Sequence, residues 1–230
     1  MKIFYNEVLV KKETHMETVN ARLRQAAKAG SEAKLKALIQ APGCDALSKD
    51  DEGMTALMWA AVSGDEGCVE LLMPVSDASA QDEDGWTALR WAAWHGHKEC
   101  VGLLLPTSEG FAVDGNGVTA LIMAASRGHE GCVSLLLPAS DVLAKGRSGM
   151  TALMHAAGNG HEGCVRLLLP VSDASVNDND GRTASGWARR TGHEILAQFI
   201  DAYALAQSER SAIGENSRLG TLGVRGVLRM

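Results

Sequence analysis

Aromatic residues are scarce in this chain: Phe, Trp and Tyr make up 4% of its 230 residues, although 46% are hydrophobic. A core with so few rings cannot be filled in aromatic layers, so it must be closed by small, closely approaching helices rich in Ala, Leu and Gly. Positive charge is also short, with 22 Lys and Arg against 28 Asp and Glu and a net charge of -6. That sign argues against nucleic acid as a partner, because phosphate binding draws its affinity from clustered Lys and Arg. No apolar run reaches the roughly 18 residues of a membrane span, and residues 1–12 lack the apolar core and small-residue cleavage site of a signal peptide. The five cysteines are an odd number at wide, regular spacing, which fits reduced thiols better than a disulfide framework. The expectation is a cytoplasmic protein with no membrane insertion.

Proline is rare too, and its placement carries the main signal. All five prolines, Pro42, Pro74, Pro106, Pro138 and Pro170, stand 32 residues apart. Gly53, Gly85, Gly117, Gly149 and Gly181 keep the same step, as do Cys68, Cys100, Cys132 and Cys164. The repeating unit reads G-x-T-A-L-x-x-A-A-x-x-G-H-x-x-C-V-x-L-L-L-P, and a fixed period of this size defines a stacked-repeat architecture.

Each position of the unit has a physical role. Thr55, Thr87, Thr119, Thr151 and Thr183 can cap a helix start with their hydroxyls. Ala56, Leu57, Ala60 and Ala61 fall on one helical face, where the alanine pair lets a neighbouring helix come close. Gly64, Gly96, Gly128, Gly160 and Gly192 then end the first helix in a left-handed conformation. A second helix starts with an acid in its first turn, at Glu66, Glu130, Glu162 and Glu194, and buries a stripe such as Cys68, Val69, Leu71 and Leu72. Proline stops it, and Ser-Asp pairs at 76–77, 140–141 and 172–173 turn the chain into the next unit. Such helical hairpins cannot bury their apolar faces alone and must stack.

These residues resemble the ankyrin repeat, with its Gly, T-P-L-H, paired alanines, G-H and leucine-rich second helix. The resemblance implies an all-α ankyrin-repeat solenoid of helix-turn-helix units joined by hairpin loops. Its divisions fall as an N-terminal extension (1–18), a divergent capping repeat (19–49), four repeats (50–81, 82–113, 114–145 and 146–177), a C-terminal capping repeat (178–206) and a flexible tail (207–230). Ala replaces the family's Pro after Thr, and Met58, Arg90, Ile122 and Met154 replace its His, which removes the usual Thr-His bond between repeats. The closing L-L-L-P resembles a variant found in large protist ankyrin expansions, some of which carry a NIMA-related kinase-like domain.

Three patterns invite catalysis or cofactor binding. H-x-x-C recurs at His97-Cys100, His129-Cys132 and His161-Cys164, but equivalent residues on helices stacked about 8–10 Å apart cannot share a zinc with bonds near 2.3 Å. The cysteines read as small core residues. Gly158, Gly160 and Gly163 spell G-x-G-x-x-G, yet they join two helices where a dinucleotide site needs a strand. Asp51, Glu52, Asp82, Glu83, Asp84, Asp178 and Asp180 read as solvated loop carboxylates. No catalytic residue, cofactor or metal is therefore assigned.

The variable positions point to a partner instead. Trp59, Trp91 and Trp187 share one helical column and read as half-buried packing. Trp86 and Trp94 flank the cap and the alanine pair, in columns that also hold Met54, Val118, Met150 and Arg182, and Val62, Ser126, Gly158 and Arg190. With His95 and Arg127 they form a surface apolar toward the N-terminal half and basic toward the C-terminal half, and Trp and Arg dominate interface hot spots. The expected function is a non-catalytic scaffold that holds a protein partner on its concave face through Met54, Val62, Trp86, Trp94, His95, Val118, Arg127, Met150, Arg182 and Arg190. A kinase or a cytoskeletal protein are the candidate partners. The alternative is a regulatory or targeting module for a NIMA-related-type kinase on another chain.

Overall fold

The computed structural model describes residues 18–108 and 113–226, with side chains as far as residue 210. The apolar segment Ile3 to Val10 lies outside the described residues. Each full unit opens at its threonine, whose Oγ1 accepts the backbone N–H three residues on, at 3.2–3.5 Å. The capped helices are α3 (Ala56–Ser63), α5 (Ala88–His95), α7 (Ala120–Arg127), α9 (Ala152–Gly158) and α11 (Ala184–Arg190). They follow a first hairpin of α1 (18–28) and α2 (Glu32–Ile39). Glycine is required just past these helices: Gly96 has φ +80, and a Cβ there would stand 2.5 Å from Nδ1 of His129.

The returning helices are α4 (Glu66–Leu72), α6 (Lys98–Leu104), α8 (Glu130–Leu136), α10 (Glu162–Leu168) and α12 (Glu194–Gly226). Pro74, Pro106 and Pro138 each sit in a single 3-10 turn that closes a helix. In α4 the N-terminal cap is Asp65, whose carboxylate accepts the Cys68 N–H at 2.7 Å. Later units put histidine there, with a different job. Nε2 of His97, His129 and His161 reaches the backbone carbonyl of Val62, Trp94 and Ser126 in the preceding unit, at 3.0–3.1 Å. A carbonyl only accepts, so each ring carries its proton on Nε2. These bonds link neighbouring repeats where the Thr-His bond is absent.

The first helices α3, α5, α7, α9 and α11 pack in sequence, more closely than the second helices do. The reason is side-chain size. Ala60-Ala61, Ala92-Ala93, Ala124-Ala125 and Ala156-Ala157 are all fully buried, whereas the second helices face each other through Cys, Val and Leu. One continuous core results, from Leu23 to Ile200, with no strand among the described residues. Leu23, Ala26, Ala27 and Leu35 close it at the N-terminal end, and Leu196, Ala197 and Ile200 of α12 at the other. The repeat pattern fades at Tyr203, but α12 continues to Gly226, through the segment that sequence reading treats as a tail.

Candidate functional site

The loops that precede the first helices are organised by aspartate. Oδ1 of Asp82 accepts the N–H of Asp84 at 3.0 Å and of Trp86 at 2.8 Å, while Oδ2 accepts the Trp91 indole N–H at 2.8 Å. Asp50 does the same for Trp59, and Asp178 for Trp187, each indole bond again 2.8 Å. Asp82 and Asp178 are therefore structural braces rather than the solvated residues expected of them, since a carboxylate accepting three N–H groups holds both loop and helix. The Arg182 backbone N–H, followed by the Trp187 indole, holds the Asp178 carboxyl below the ordinary aspartate value against the opposing effect of burial. The link is absent in the next two units, where Met123 and His155 occupy the tryptophan column and Gly146 replaces the second aspartate.

This bracing aims the tryptophans. Trp86 comes from the loop and Trp91 and Trp94 from α5, with Trp86 4.5 Å from Trp91 and 5.6 Å edge-on to Trp94 between ring centroids. His95 stacks between Trp91 and His97, at 6.0 and 5.9 Å. The Arg127 guanidinium from the following unit lies 4.4 Å over Trp94. Burial first, then the charges of His97, Arg127 and His129, lower the pKa of His95. His129 also fixes the backbone of Trp94 through the carbonyl bond described above. Trp86, Trp91 and Trp94 are all half-buried, so each ring keeps an open portion.

Most of the expected surface residues are accessible, with one correction. Met54 is only 3% exposed, its long apolar side chain packed into the continuous core. It cannot touch a partner. Val62, Val118 and Met150 are half-buried against the core, while His95, Arg127 and Arg190 are exposed. Arg182 is held by Asp180 and Asp178 and lies 5.4 Å over Trp187, with Arg190 at 5.5 Å from the same ring. By its column alone Trp91 reads as packing, but it belongs to the cluster. The signal that would have placed it in the cluster is the nine-residue Asp-to-Trp spacing shared by three units.

The cysteine column has the wrong chemistry for a nucleophile. Cys100, Cys132 and Cys164 are at most 1% exposed, and burial pushes each thiol up to about 11, and that of Cys68 to about 12. Reactive thiols are shifted the other way. The G-x-G-x-x-G glycines span the end of α9 and the start of α10, and the Glu130 carboxylate lies over Gly163. A negative group there repels a pyrophosphate. Among the described residues, no group of three or more His, Cys, Asp and Glu side chains is placed to hold a metal ion, and no helix is long and apolar enough to cross a membrane.

The fold and this surface define a helical repeat protein with an aromatic and basic face along its first helices. A family model described as ankyrin repeats (3 copies) matches residues 23–114, 76–146, 103–180 and 139–208. The chain belongs to the ankyrin-repeat family, whose members generally serve as protein–protein interaction modules without catalytic activity. No curated protein matches the chain.

Proposed function

We propose that this chain is a non-catalytic scaffold that holds a partner protein in the groove formed by the loops and the first helices. The observation that carries the reading is the cluster of Trp86, Trp91 and Trp94, inside a single repeat whose equivalents elsewhere lack the flanking rings, with Arg127 of the following unit stacked on it. Three half-open indoles held in place by aspartate and histidine bonds lose little conformational freedom on binding. Rigid Trp and Arg side chains of this kind supply most of the energy of protein interfaces. The repeats below and above supply the fixed backbone on which such variable positions sit.

The test is removal of the two flanking rings. The Trp86→Ala, Trp94→Ala double variant should lose its partner in an affinity capture from cell extract, with binding weakened at least a hundredfold, or about 2–3 kcal/mol. Its helical content by circular dichroism should stay unchanged, because neither ring belongs to the continuous core. Undiminished capture by the double variant would refute this site.

A further inference from the structure

We infer that the groove takes an extended acidic peptide segment, with an apolar side chain on the Trp86–Trp94 rings and carboxylates reaching Arg127 and Arg190. The inference rests on the groove reading above and adds the chemistry of the occupant.

The loop tips along this face lose their acidic excess beyond the tryptophans. The loops at its N-terminal half end in exposed Asp51, Glu52, Glu83 and Asp84. The equivalent tips further on carry Gly115, Asn116, Arg147, Ser148, Asn179 and Asp180. Asp180 is committed to Arg182. Arg127, Arg147 and Arg190 have no carboxylate within ion-pair distance among the described residues, in a chain whose net charge is -6. Three exposed guanidiniums without a carboxylate partner in this half favour an anion from outside.

Two of them are also held in position. Arg127 lies over the face of Trp94 and Arg190 over that of Trp187, at 4.4 and 5.5 Å. A guanidinium stacked on a ring keeps its N–H edge free, and that edge matches a carboxylate through two parallel hydrogen bonds. Arg127 and Arg190 are two units apart, which is about 16–20 Å at the usual spacing of about 8–10 Å between packed helices. An extended chain rises about 3.3 Å per residue, so about five or six residues separate the two carboxylates. A helix would need more than ten residues to cover that distance at about 1.5 Å each.

A single-stranded nucleic acid would also find rings and arginines here, but two features favour the peptide. Trp86 and Trp91 pack on one another at 4.5 Å and Arg127 covers a face of Trp94, so the rings do not form a spaced ladder for successive bases. The acidic loop tips at the near end would repel a phosphate chain.

The experiment selects phage-displayed random dodecamer peptides on the full chain. It then measures recovered peptides against wild type, the Arg127→Glu, Arg190→Glu variant and the Trp86→Ala, Trp94→Ala variant, with a dT20 oligonucleotide in parallel. The expected result is enrichment of an aromatic or aliphatic residue with two Asp or Glu spaced five or six apart. Affinity should fall at least tenfold in the arginine variant and with rising salt. Peptides that depend on the tryptophans but show no acidic enrichment and ignore the arginine variant would overturn the acidic assignment and leave the groove standing. No enrichment at all, or binding indifferent to both variants, would overturn both readings. Tighter binding of dT20 than of any peptide would overturn the peptide assignment.

Discussion

Replacing Arg90 by Met should raise the stability of this chain by about 1–4 kcal/mol, the gain seen when buried ionic groups give way to apolar ones of similar volume. Arg90 is 1% exposed, in the column that Met58, Ile122 and Met154 fill in other units. Its Nη1 donates to the Gly85 carbonyl at 2.5 Å, but Nε and Nη2 are buried with no protein acceptor. Burial lowers its pKa, opposed by the charges of Asp114 and Asp82, yet arginine does not give up its proton in proteins. The chain therefore carries a desolvated cation with unmet donors where three sister repeats carry hydrocarbon or thioether. Losing the charge-assisted bond to Gly85 costs about 1.5–3 kcal/mol, a loss already contained in that net figure. At about 2–4 °C per kcal/mol for a chain of this size, a 2 kcal/mol gain moves the melting temperature by about 4–8 °C, readable by calorimetry. The converse swap, Met154→Arg, should lose several kcal/mol. A lower melting temperature for Arg90→Met would mean that the guanidinium stabilises the Gly85 loop more than its burial costs.

The cysteine column should make the protein sensitive to alkali. Cys68, Cys100, Cys132 and Cys164 have folded values of about 11–12 against an ordinary thiol value of 9.0. Between those values the unfolded chain releases protons that the folded chain keeps. Stability is therefore lost as the pH rises from about 9 toward 11, by about 1.4 kcal/mol per thiol for each pH unit climbed and several kcal/mol over four thiols. Cys132→Ala isolates one of them. At pH 7 it should cost on the order of 1 kcal/mol for the small cavity. By pH 10–11 the variant should equal or exceed the wild type, since it has one fewer thiol to ionise on unfolding. Urea melts of both proteins from pH 7 to 10.5 would test this, and parallel curves would contradict it. A catalytic thiolate predicts the reverse, a thiol that ionises near neutral pH in the folded protein.

What the sequence made legible was what each unit decides locally. Threonine caps, left-handed glycines after the first helices, buried alanine pairs and buried cysteines all follow from residues within one hairpin, repeated often enough to leave no ambiguity. Interactions that cross from loop to helix were harder to read. The Asp50–Trp59, Asp82–Trp91 and Asp178–Trp187 bonds join residues nine apart on different elements, so no helical or strand period reveals them. Column logic also failed at Met54, which shares a register with half-buried Trp86, Val118 and Met150 but turns into the core. Arg90 was visible as a departure from the pattern, but its burial depends on how closely the units on either side pack. The extension of α12 was hidden because the sequence beyond Tyr203 carries no sustained apolar period.

The central claim is that the partner sits on the side of the stack where the loops meet the first helices. A photoreactive benzophenone side chain placed at Ser126, half-buried in the column of Trp94 one unit on, reads that contact while leaving the tryptophans in place, with one at Glu70, exposed on the second helix of an earlier unit, as the opposite face. Irradiation of the captured complex should give a covalent adduct from position 126 and none from position 70. An adduct from position 70 with none from position 126 would place the partner on the wrong side and contradict the account.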